Sequence, residues 1–122
     1  MKTYFSIILT LNLLFEGMAA AVLIIAPESA LAPGDSVIWA RNYGFAALAV
    51  ASASLWLWPH RTNLQAVTVM CGTLMVFHIG LCGSLVIAGG ANLGAAATHG
   101  IMGVLFLVAF LQRNKWCIAT AG

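Results

Sequence analysis

The chain has 122 residues, 62% of them hydrophobic and 7% charged, with a formal net charge of +2. A water-soluble domain of this length has too small a core to hide so much apolar surface, so a bilayer must supply part of the solvent. The sequence carries no basic patch or stacking motif for nucleic acid. Its three cysteines form neither a C-x-x-C nor a zinc-ligand spacing, so neither a disulfide framework nor a structural metal is expected.

In chain order, the first apolar stretch runs from about Tyr4 to Ala26. Lys2, the apolar run and the small residues Ala19-Ala20-Ala21 resemble a secretory leader, but Glu16 interrupts the run and a retained span is expected. Ala26-Pro27-Glu28 and Ala32-Pro33-Gly34-Asp35 form the first connection. A second stretch follows over Val37–Trp58, and Pro59-His60-Arg61-Thr62-Asn63 breaks it. The third covers Leu64–Ala88, Gly89-Gly90-Ala91-Asn92 makes the next turn, and the fourth covers Leu93–Leu111. Each stretch is near the roughly 20 residues that cross a hydrocarbon core. The expectation is an all-α fold in one transmembrane domain, a four-helix bundle whose short connections make consecutive helices antiparallel neighbours.

Charge then sets orientation. Lys2, Arg61, Arg113 and Lys115 fall on one side of such a bundle, and Glu28 and Asp35 on the other. The positive-inside rule puts both termini in the cytoplasm. Tyr4, Trp56, Trp58 and Trp116 mark the inner interface and Trp39 the outer one, as an aromatic belt requires. Cys117 then faces a reducing compartment. Arg41 is the basic residue on the wrong side.

Ionisable residues inside a membrane are costly, and here they are Glu16, Arg41, His78 and His99. At about 1.5 Å per residue, Arg41 lies roughly 6 Å and His99 roughly 9 Å from the outer ends of their helices, while Glu16 and His78 lie roughly 15 Å deep. All four occupy the outer half. Asn12 precedes Glu16 by four residues and shares its face. Arg41, with its long stem, is expected to reach inward to Glu16.

Superimposing Leu23-Ile24-Ile25-Ala26 on Leu85-Val86-Ile87-Ala88 places Glu16 on His78, and Asn42-Tyr43-Gly44 matches Thr98-His99-Gly100. Two helical hairpins related by an axis along the membrane normal explain this pattern, with Glu16 and His78 facing each other. Recurrence of common apolar residues explains it as well. Cys71, His78 and Cys82 share one helical face, but the two cysteines are roughly 16 Å apart along it, beyond disulfide reach, and read as packing. A redox role for either stays open. Gly72, Gly80, Gly83, Gly100 and Gly103 suit close helix approach or room for a flat ligand.

Leu-Ile-Ile-Ala-Pro-Glu at 23–28, a short loop, and Arg41-Asn42-Tyr43-Gly44 opening an Ala/Leu-rich helix resemble the DoxX-like group of small four-helix bacterial membrane proteins and the families beside it. The resemblance implies a bacterial inner-membrane location, and some relatives are linked with quinone-dependent or thiol redox systems. Where relatives carry an acidic residue in the last helix, this chain has His99, which puts the carry-over of any site chemistry in doubt.

The function expected is binding of a hydrophobic small molecule (a lipid, isoprenoid or quinone) at an outward-facing polar site, or service as an accessory subunit of a membrane redox or lipid pathway. Asn12, Arg41, Tyr43 and His99 are the ligand-binding candidates. Three alternatives stand beside it. One is a membrane enzyme with Glu16 and His78 as acid and base. Another is a haem b protein ligated by His78 and His99, whose depths differ by roughly 6 Å. The third is a purely structural or assembly subunit. The partners expected are the bilayer, the small molecule, and a second copy or a larger membrane complex, with no nucleic acid.

Overall fold

Near-uniform apolar sequence without an internal proline favours helix throughout, because a helix satisfies every backbone donor within itself. In the computed structural model, which describes residues 2–31, 34–88 and 93–119, four long helices form: α1 (Lys2–Ile25), α2 (Val37–Leu57), α3 (Leu64–Ala88) and α4 (Leu93–Trp116). Short 3-10 turns at Pro27–Ala30 and Trp58–His60 follow α1 and α2. The Gly89–Asn92 turn and Ala32-Pro33 lie outside the described residues.

By length and composition, α1, α3 and α4 can each cross a membrane. The fourth expected span, α2, does not reach the same hydropathy, because Arg41, Asn42, Tyr43, Ser52 and Ser54 dilute its apolar residues. The bounds of α3 coincide with the expected stretch. The last helix runs on to Trp116, beyond the expected end at Leu111. Arg113 sustains that extra turn: its guanidinium sits 3.9 Å over the Phe110 ring, Nη1 donates to the Phe110 carbonyl, and its own carbonyl accepts from Cys117 N at 2.8 Å.

Each helix buries one stripe at helical spacing. On α3 it is Val67, Cys71, Leu74 and His78, and on α1 it includes Phe5, Leu9, Asn12, Glu16 and Ala20. The outward faces carry large apolar side chains, with Ile25 80% and Ile87 88% exposed. The buried polar residues are Asn12, Glu16, Ser54, His78 and His99. Polar groups inside and apolar groups outside invert the pattern of a surface helix in water. Hydroxyls follow the same rule, for Thr68, Thr73 and Thr98 each donate to the carbonyl four residues earlier on their own helix.

The chain forms two compact units, Met1–Ile8 with Pro59–Gly122, and Leu9–Trp58. In the first, Gly72 meets Phe110, Gly100 meets Cys82 and Gly103 meets Ile79, which sets α3 and α4 antiparallel in one register. Asn63 caps α3 by accepting from Ala66 N at 2.9 Å, and Ile118 pairs with the 62–64 segment through two backbone bonds of 2.8 and 3.0 Å. Tyr4 donates to the Leu105 carbonyl at 2.8 Å and packs edge-on to Trp116, ring centres 5.1 Å apart.

In the second unit, α2 starts at Ser36, whose Oγ accepts from Trp39 N, and ends just before Pro59, which cannot continue a helix. Gly44 allows α1 and α2 to touch. A Cβ there would stand 2.9 Å from Ile24 Cγ1 and 3.2 Å from the Ile24 backbone nitrogen.

Candidate functional site

In the Leu9–Trp58 unit, Asn12 and Glu16 share the buried face of α1 as their spacing predicts, and both are fully buried. Asn12 Nδ2 donates to the Val50 carbonyl at 3.1 Å and to Ser54 Oγ at 2.9 Å. Both of its amide hydrogens are thus spent on α2, so Asn12 pins the two helices together. Tyr43 is half-buried. Arg41 is exposed while Glu16 is fully buried, which runs against the expected inward reach of the guanidinium. A guanidinium in the second turn of a helix keeps its hydration by staying at the surface.

In the other unit two buried histidines meet. His78 Nδ1 and His99 Nδ1 are 2.9 Å apart, with His78 fully buried and His99 5% exposed. In the α3/α4 register His78 stands level with Val104, five residues from His99. The backbone offset is therefore about 7 Å, close to that expected from sequence, and the imidazoles close it by reaching along the helices. Gly103 makes room for this, since a Cβ there would lie 2.7 Å from Ile79 Cγ1 and 3.6 Å from His78 Cβ.

Aromatic rings hold the imidazoles in plane. Phe106 stacks on His78 with centres 5.6 Å apart and planes 7° from parallel. Phe77 stands edge-on to both, 5.2 Å from His78 and 6.0 Å from His99. Sequence reading passed over Phe77 and Phe106. The available signal was spacing, since His99, Gly103 and Phe106 recur at four and three residues on one helical face.

Two neutral imidazoles at this distance share one hydrogen bond, one Nδ1–H donating and the other Nδ1 accepting. The pair can hold a metal ion, pass a proton or bond to a polar group. Haem b does not fit it. Axial ligands approach iron from opposite faces of a flat macrocycle, and nitrogens 2.9 Å apart leave no room for one between them.

Beside the pair, α3 and α4 line an open cleft of about 550 Å³. Its walls are Cys82, Val86, Ala97, Gly100, Ile101 and Val104 together with Leu93, Ala96 and Leu105. Cys82 stands one turn beyond His78, and Gly100 follows His99 directly. All three cysteines are free thiols; Cys71 is buried in the α3 stripe, and burial pushes the Cys117 thiol up from its ordinary pKa. Compared with protein-family models, curated proteins and solved structures, the chain matches none of them.

Proposed function

We propose that this is a multi-pass membrane protein that binds an amphipathic small molecule, with an apolar chain in the α3/α4 cleft and one polar end near His78 and His99. The observation that carries the reading is a buried imidazole pair on the same two helices that wall an apolar cleft. The outward apolar faces and helix-satisfied hydroxyls support a bilayer as solvent. The basic residues Lys2, Arg61, Arg113 and Lys115 support cytoplasmic termini. The DoxX-like resemblance supports the inner membrane, and isoprenoid quinones belong to the ligand class proposed.

The test is purification in mild detergent, followed by an absorbance spectrum and mass spectrometry of a solvent extract. Ala97 lines the cleft and is exposed, so Ala97→Trp fills it without disturbing the helix contact. A defined lipid-like molecule retained by the wild type and reduced at least tenfold in Ala97→Trp is the expected result. No discrete molecule beyond bulk lipid, with other chains co-purifying instead, would favour the accessory or assembly role.

A further inference from the structure

We infer that His78 and His99 form a binding site for a late first-row transition-metal ion, with Nδ1 of each ring as a ligand. This goes beyond the binding reading, with which it shares the imidazole pair but not the cleft. The same nitrogen of each imidazole converges from two helices to a separation of 2.9 Å. Two histidines bound tetrahedrally to zinc hold their nitrogens about 3.3 Å apart, so the pair must open by about 0.4 Å and each ring must turn by about 35° in place, the ring centres staying near their present 5.2 Å.

The rings are preorganised for that change. Phe106 stacks on one face of His78 and Phe77 lies edge-on to both imidazoles, so the ring planes are set by packing rather than by the ion. Gly103 lets α3 and α4 approach closely enough for both rings to reach one point. Ordinary packing of two buried histidines requires none of this convergence on a single nitrogen type.

The proton balance is simple. Metal binding at both Nδ1 atoms moves the shared hydrogen to Nε2 of the ring that carried it, so each imidazole stays neutral and no proton is released. The ion keeps its charge and needs an anionic or water ligand in its remaining positions. Imidazole donors favour zinc, copper, nickel and cobalt over magnesium or calcium, which take oxygen. No cysteine or histidine spacing in the sequence announces the site, because its ligands are twenty-one residues apart on different helices.

The test is a titration of the chelator-treated full chain, in detergent, with Zn²⁺ and with Co²⁺ as a coloured probe. One equivalent per chain and a tetrahedral cobalt spectrum are expected. His78→Asn and His99→Asn keep a hydrogen-bonding side chain in the pair and should each weaken binding by at least about 100-fold. His60→Ala, which removes the exposed histidine at Trp58–His60, should leave it unchanged. X-ray absorption of the zinc-loaded wild type gives a readout free of any folding defect, and two imidazole ligands are expected. Binding that survives both asparagine variants, binding lost only with His60, or a zinc shell without imidazole would overturn the site. A metal result of either kind leaves the extracted-lipid result standing, so the two readings fail separately.

Discussion

The two units solve the same packing problem with different leftovers. In Leu9–Trp58, Gly44 brings α1 against α2, and Asn12 spends both amide hydrogens on Val50 and Ser54. In the α3/α4 unit, Gly103 brings the helices together, and the buried polar groups meet as two like imidazoles. A carboxamide bonded to a backbone carbonyl and a hydroxyl is bound to its fold. Two histidines sharing one hydrogen can exchange it for something else. The first arrangement is a fastener, and the second has the chemistry of a site.

The largest expected effect breaks the fastened unit. Gly44→Leu drives a side chain into Ile24 and its backbone, and should destabilise the protein by about 3 kcal/mol or more, read as a lower midpoint in detergent thermal unfolding. An unchanged midpoint would mean α1 and α2 do not approach as closely as described.

A smaller effect separates folding from binding. Asn12→Leu leaves Ser54 Oγ without its buried donor and should cost about 1–3 kcal/mol. The double change His78→Leu/His99→Leu removes both members of the imidazole hydrogen bond at once and should cost less than Asn12→Leu. Equal destabilisation by both would erase the distinction between fastener and site.

The smallest effect probes α3/α4 spacing. Gly103→Ala meets chiefly the flexible Ile79 Cγ1 at 2.7 Å, so folding should lose only about 1 kcal/mol. Zinc affinity should fall by more than folding does, because a Cβ 3.3 Å from the Ile79 backbone nitrogen shifts α3, and His78 with it, relative to α4. Calorimetric titration beside thermal unfolding checks both.

Much of this architecture was legible in sequence, because long apolar stretches between breakers set the four helices directly. The bounds of α3 follow from Asn63 and the apolar run after it. The end of α4 was not legible, since Gln112-Arg113-Asn114-Lys115 reads as a polar exit until Arg113 is seen bonding back to Phe110. Depth counting found His78 and His99 and their offset, but not their contact, which depends on Gly103 and on helix register. Counting also misjudged Arg41, because a depth along one helix does not say which way a long side chain turns. Spacing placed Asn12 on the Glu16 face but did not show its partners on α2, which are nearly forty residues away.

The most direct test is native mass spectrometry of the chain released from mild detergent, comparing the wild type, Asn12→Leu and the His78→Leu/His99→Leu double variant. The account predicts one small-molecule adduct on the wild type, retained in Asn12→Leu and lost from the double variant. An adduct that persists without both histidines, or that disappears with Asn12 alone, would contradict it.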